Sequence, residues 1–181
     1  MVTQETIRVL FAGGGTGGHL YPALRLADGL RVYAGEHGLP EPHIAFAGNP
    51  HGLEGELLPG RERFYPLPVQ GFHRGGIRTL FKRNLGFPGR LISSYRLSKR
   101  MLHAERPDVV VGTGGYVSGP PLLAAALRGI PTLIQEQNSY PGITTRLLAW
   151  FTDRVHLAYR EAEKRLPKKK KRSGFVRIPA G

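Results

Sequence analysis

The stretch that decides the fold is Ile7-Arg8-Val9-Leu10-Phe11-Ala12, followed by Gly13-Gly14-Gly15-Thr16-Gly17-Gly18-His19. The short apolar run reads as a buried strand. Beyond the glycines, apolar residues return at helical spacing from about Tyr21 to Ala34, so the segment predicts strand, glycine loop and helix in succession. Glycines let the backbone turn sharply and approach a ligand closely. The helix start that follows offers free N–H groups and the positive end of a dipole.

The same unit recurs. Asp108–Val111 is read as a strand whose unbroken valines are expected where both faces are covered. It leads into Gly112-Thr113-Gly114-Gly115-Tyr116-Val117-Ser118-Gly119-Pro120-Pro121, where the two prolines suit the first turn of a helix over 121–128. Further strands are predicted at His43–Ala47, Phe64–Val69, Thr132–Gln135, Arg154–Ala158 and Phe175–Ile178, with helices over 85–105 and 143–151. Pro66 and Pro68 suggest that the third strand lies towards a sheet edge or is irregular. Alternating strands and helices predict an α/β fold, a doubly wound Rossmann-like parallel sheet. Two glycine loops at the carboxyl ends of parallel strands are then expected to face one crevice.

Composition narrows the partners. At 181 residues the chain fits one α/β domain, and no run approaches the roughly 20 apolar residues of a membrane span. Gln4, Glu5 and the glycine loop stand where a secretory signal would need a charged start and an apolar core, so a cytoplasmic protein is expected. The absence of cysteine excludes disulfides, thiolate metal sites and thiol catalysis. No metal-ligand cluster and no cofactor is indicated. A formal net charge of +13 asks for an anionic partner: a phosphorylated substrate, an anionic membrane surface or nucleic acid. No nucleic-acid-binding motif accompanies the charge, so nucleic acid is not expected.

The first loop formally satisfies the dinucleotide spacing through Gly13, Gly15 and Gly18. That reading requires an acid at the end of the second strand to hold a ribose, and Gly48-Asn49-Pro50 stands there instead. His19, at the helix entrance, reads either as a packing or capping histidine or as a general base, since neutral imidazole accepts a proton near pH 7. Gln135-Glu136-Gln137-Asn138 masses polar residues at a strand's end, facing a ligand or forming a solvated loop.

The chain resembles the N-terminal half of the bacterial N-acetylglucosaminyltransferases of peptidoglycan synthesis. The likeness runs through Gly14-Gly15-Thr16-Gly17-Gly18-His19-Leu20-Tyr21-Pro22-Ala23, Gly52-Leu53-Glu54 before Leu57-Leu58-Pro59, and Pro107-Asp108-Val109-Val110-Val111-Gly112. It continues in Gly114–Pro120, Gly129-Ile130-Pro131, Glu136-Gln137-Asn138 and Gly142, in the family's order and over nearly the whole length. The resemblance implies a two-domain GT-B enzyme that displaces UDP from UDP-N-acetylglucosamine with inversion. The acceptor would be undecaprenyl-pyrophosphoryl-MurNAc-pentapeptide, held by this half. It implies Thr16, Gly17, Gly18, Asn138 and Arg177 as contributors to the donor site and His19 as the base. Gly14, Gly15, Gly114, Gly115, Tyr116, Ser118 and Glu136 would line the cleft.

Two positions and one segment depart from the family pattern. Gln135 and Thr145 replace the usual His and Asn, and Ser173–Pro179 replaces the Gly-Asn-Pro-Val-Arg turn that supports the arginine at position 177. The expected organisation is an acceptor-side domain over 1–165 and a basic linker over 166–181. The donor domain is expected to be absent from this sequence and supplied in cis or in trans. The alternatives are a membrane-anchoring, non-catalytic half of a split glycosyltransferase, as in the two-chain enzyme of the dolichol pathway, and a dinucleotide-binding oxidoreductase domain. Between Arg74 and Arg100, apolar residues alternate with cations. Ile77, Leu80 and Phe81 beside Arg78, Lys82 and Arg83 read as an interfacial patch for the inner face of the cell membrane, or as one side of a core-packed segment. Lys168–Arg172 reads as a solvated linker.

Overall fold

The structure is a computed structural model and describes residues 5–69, 87–167 and 176–177. Among the described residues, seven parallel strands form one sheet in the order β3-β2-β1-β4-β5-β6-β7. They are β1 (Arg8–Gly13), β2 (His43–Gly48), β3 (Arg63–Pro66), β4 (Val109–Gly114), β5 (Thr132–Glu136), β6 (Arg154–Leu157) and β7 (Val176–Arg177). The helices are α1 (Gly17–Glu36), α2 (Leu53–Leu57), α3 (Phe87–Glu105), α4 (Gly119–Ala126), α5 (Ile143–Leu148) and α6 (Arg160–Glu163).

Strand alternation sorts the core into two layers. Val9, Phe11, Ile44 and Phe46 meet Leu20, Ala23 and Ala27 of α1 and Leu58 after α2 on one face. Leu10, Ala12, Ala45 and Val110 face the other side with Met101 and Leu102 of α3 and Leu122, Ala124 and Ala125 of α4. The central strands β1, β2 and β4 are therefore buried along all but their first residue, because both of their faces are covered.

The chain winds outward from β1 to β2 and β3, then returns to lay β4 on the other side of β1. The strand order reverses there, so the β1 and β4 carboxyl ends open a crevice between them. Four details differ from or add to the expectations. Helix α1 begins at Gly17, four residues earlier than expected, since Thr16 takes the extended conformation of an N-cap and the next two glycines accept the helical turn. The third strand shrinks to four residues: it pairs only with β2, at the sheet edge, and ends at Pro66. The sequence from Leu53 to Leu57, quoted only for its family likeness, is the short helix α2. The last strand, Val176–Arg177, pairs with β6 and so lies inside the segment read as a linker.

Candidate active site

Two glycine loops interlock at the switch point. Gly114 has φ +107° and packs directly on His19: a Cβ there would stand 2.6 Å from His19 Nδ1. Gly115 (φ +76°) lies so close to the Gly14 carbonyl that a Cβ would overlap it. The expectation that both loops meet in one crevice is thus met by backbone-to-backbone contact. Only glycine permits that approach.

His19 occupies the third position of α1 and is partly exposed. Its Nδ1 lies 3.1 Å from the Thr113 carbonyl oxygen and 2.7 Å from Gln137 Nε2. The Thr113 hydroxyl donates back to the His19 carbonyl at 2.7 Å. Gln137 also donates to the Gly18 carbonyl at 2.7 Å. That carbonyl is available because Pro22, one turn later, has no N–H to give it. Three loops, those after β1, β4 and β5, therefore converge on one imidazole.

The other expected site residues divide by exposure. Thr16, Gly15, Gly18 and Asn138 are exposed at the crevice rim, with Gly17 partly so. Glu136 is buried at 3% exposure, and its Oε1 accepts both the Asn138 N–H (3.0 Å) and the Asn138 side-chain amide (2.8 Å). It shapes the loop that presents Asn138. Ser118 is buried and donates to the Gly115 carbonyl at 2.8 Å, so its hydroxyl closes the second loop on itself. Gly14 and Gly114 are buried beneath the rim, and Tyr116 receives a hydrogen bond from Asn49 Nδ2 at 3.2 Å. Arg177 is the last residue of β7, in register with Leu157. The patch residues Ile77, Arg78, Leu80, Phe81, Lys82 and Arg83, and the run Lys168–Arg172, lie outside the described residues.

Two residues carry more of the site than the sequence disclosed. Glu54 on α2 is fully buried, and its Oε1 accepts the N–H of Gly15 at 2.8 Å and of Asn49 at 2.9 Å. It is the nearest acid after the second strand. A carboxylate turned inward beneath the loop is in no position to hold a ribose, which removes the support for the dinucleotide reading. Gln137, quoted only as part of a polar run, contacts His19 directly. The sequence signal for it was the Pro22 position, which announces an unpaired carbonyl at Gly18.

Among the described residues, no group of three or more His, Cys, Asp or Glu is placed to hold a metal ion, and no helix is long and apolar enough to cross a membrane.

The profile of the glycosyltransferase family 28 N-terminal domain matches residues 9–157. The chain belongs to that family. The UDP-N-acetylglucosamine–N-acetylmuramyl-(pentapeptide) pyrophosphoryl-undecaprenol N-acetylglucosamine transferase of Chlorobium phaeobacteroides is 45% identical over 165 residues, which is 91% of this chain and 44% of the relative. The protein of the same name from Chlorobaculum tepidum is 48% identical over 160 residues, 87% of this chain and 42% of the relative. The crystal structure of Acinetobacter baumannii MurG superposes with a TM-score of 0.70 at 32% identity, covering 92% of this chain and 45% of that one. This family 28 domain thus spans less than half the length of the curated relatives it matches. The Staphylococcus aureus MnaA–UDP structure, at 16% identity and TM-score 0.57 over 94% of this chain and 44% of that one, shares the fold alone.

Proposed function

We propose that this domain is the acceptor-side half of an inverting N-acetylglucosaminyltransferase that converts undecaprenyl-pyrophosphoryl-MurNAc-pentapeptide to its disaccharide form. The observation that carries the reading is the convergence of three loops on His19 at the switch-point crevice. The identity to transferases of that name over 91% of the chain supports the substrate assignment. The donor is UDP-N-acetylglucosamine, completed by a second domain in cis or in trans. Thr16, Gly17, Gly18 and Asn138 would face it from this side.

In the reaction an acceptor hydroxyl oxygen bonds to the anomeric carbon as the bond to the UDP β-phosphate oxygen breaks. UDP leaves with the electron pair, and the configuration inverts. The hydroxyl proton goes to His19 Nε2, the ring nitrogen turned away from Thr113. The helix start offers N–H groups to developing negative charge on the departing diphosphate.

The acceptor is a membrane lipid, and peripheral association with the anionic inner face of the cell membrane follows from the proposal. An open groove of about 740 Å³ supports it, with Leu91, Ile92, Leu147 and Phe151 inside and Arg96 and Lys99 along it. Val69 and Tyr116 also line it, so the groove reaches the cleft side.

The test is a fusion of this chain to the C-terminal half of the Chlorobium relative. Disaccharide-lipid should form from UDP-N-acetylglucosamine and the lipid acceptor. His19→Asn in that fusion should lower kcat by roughly 10²–10⁴-fold, the contribution of a positioned base, with a smaller change in donor KM. A folded His19→Asn fusion with undiminished turnover would remove His19 from the mechanism. A folded parent fusion retained on NAD resin, with no transfer to the lipid, would overturn the transferase reading.

A further inference from the structure

Every base mechanism at His19 depends on which ring nitrogen holds the proton, and the hydrogen bonds around the ring decide this. Nδ1 has two neighbours that make opposite demands. The Thr113 carbonyl at 3.1 Å can only accept, so it favours a proton on Nδ1. The Gln137 side chain at 2.7 Å favours the reverse if its amide nitrogen is the atom facing the ring.

The orientation of that amide is settled by its other contact. The same atom stands 2.7 Å from the Gly18 carbonyl oxygen, which Pro22 leaves without its helical donor. An amide oxygen at that place would put two carbonyl oxygens in contact with no proton between them. The nitrogen must therefore face Gly18. Its two hydrogens then serve Gly18 O and His19 Nδ1. With a proton on Nδ1, two N–H groups would oppose each other at 2.7 Å. With the proton on Nε2, the only loss is a longer 3.1 Å contact to Thr113.

We infer that Gln137 is a positioning residue that holds His19 in the Nε2–H tautomer, the form that cannot accept a proton from the acceptor hydroxyl. The Thr113 carbonyl defines the second state. When the Gln137 amide turns away, the ring releases the Nε2 proton to solvent and takes one on Nδ1, with no net change in charge. The Nδ1–H donates to Thr113 O, and Nε2 is left with the free lone pair a base requires. The Gln137 Oε1 is buried and has no hydrogen-bond partner among the described residues. The amide thus leaves one of its polar atoms unsatisfied in the holding position, which lowers the cost of turning it. The inference rests on His19 serving as the base. Its structural part, the tautomer, stands or falls separately.

The experiment is long-range proton–nitrogen NMR on the ¹⁵N-labelled chain at mildly alkaline pH. The His19 ring is identified by the resonances that vanish in His19→Asn. The parent should show Nε2 in the protonated class and Nδ1 in the unprotonated class. Gln137→Leu, which removes the donor, should exchange the two classes. Gln137→Glu, whose carboxylate accepts from Nδ1–H, should do the same and serves where the leucine variant does not fold. A parent ring protonated at Nδ1, or a folded variant of either kind that keeps the Nε2–H pattern, would overturn the inference. Turnover of a His19→Asn fusion bears on the base role alone and leaves the tautomer assignment as measured.

Discussion

Glu54 lies beneath Gly15, accepting its N–H at 2.8 Å through the same carboxylate oxygen that takes the Asn49 N–H at 2.9 Å. One buried side chain therefore ties the loop after β1 to the loop after β2, and Asn49 extends the tie to Tyr116 in the loop after β4. Space for the Glu54 side chain comes from Gly14 and Gly52, where a Cβ would collide with the carboxylate, and from Gly48, where it would collide with the methylene stem. Its Oε2 is buried without a partner among the described residues.

Replacing Glu54 tests whether the charge or the accepting oxygen matters. Glu54→Gln keeps an oxygen for both N–H groups and relieves a buried charge, while its amide hydrogens go unpaired. These effects oppose each other, and the variant should lose about 1 kcal/mol or less. Glu54→Ala removes the acceptor from both loops and leaves a void, so it should lose about 3 kcal/mol. Denaturant unfolding of both variants measures the contrast. Equal stability of parent and alanine variant would show that the carboxylate does not hold the loops.

At the opposite end of the strands, Glu105 gathers the first residues of β1, β2 and β3. His43 Nε2 approaches its Oε2 at 2.7 Å, Arg63 Nε approaches Oε1 at 2.5 Å, and the Tyr65 hydroxyl also donates to Oε1. Arg8 Nε donates to the Glu105 backbone carbonyl at 2.5 Å. Burial alone would raise the carboxyl, but the hydrogen bonds from Tyr65 and His43 and the charge of Arg63 hold it below its ordinary 4.5. A group depressed on folding stabilises fully above its unfolded value, and that contribution is lost as pH falls through the folded value. The melting temperature should therefore drop as pH is lowered below about 4.5. Glu105→Gln should lower stability near neutrality and flatten this part of the profile. An unchanged acid limb in the variant would assign the effect to other carboxylates.

Gly114→Ala combines a left-handed backbone with a methyl group set 2.6 Å from His19 Nδ1. The backbone cost is about 1–3 kcal/mol. The larger effect should be on function, because the imidazole must leave its place between Thr113 and Gln137. In the fused transferase, Gly114→Ala should reduce kcat by more than about tenfold, since small misplacements of a reacting group cost up to about 10²-fold. A folded variant with parental kcat would place the ring's catalytic position elsewhere.

The proposed interfacial patch makes a prediction independent of the cleft. The parent chain should co-sediment with anionic vesicles, and binding should weaken as salt rises and screens the cations. Joint replacement of Ile77, Leu80 and Phe81 by serine should weaken it further while leaving the thermal transition unchanged. Undiminished binding by the triple variant would assign the membrane contact to another surface, with the groove between Leu91 and Phe151 tested next.

What the sequence alone determined follows from local rules. Unbroken apolar runs at Val9–Ala12 and Val109–Val111 mean strands covered on both faces. Glycine clusters after each mean sharp turns into helices, so the doubly wound sheet, the crevice and His19 at its edge were legible without coordinates. The prolines of the third strand narrowed it to an edge or an irregular strand, and the pairing of β3 with β2 alone decided for the edge. The partners of the site residues were decided only by tertiary structure. Glu54 is 39 residues from Gly15, and Gln137 is 118 from His19. Their contacts exist because parallel pairing brings the carboxyl ends of β1, β2, β4 and β5 to one side of the sheet. No periodicity encodes a contact at that separation. Whether a buried carboxylate shapes a glycine loop, or an amide sets a histidine's proton, depends on distances of a few tenths of an ångström that arise only when the strands have paired.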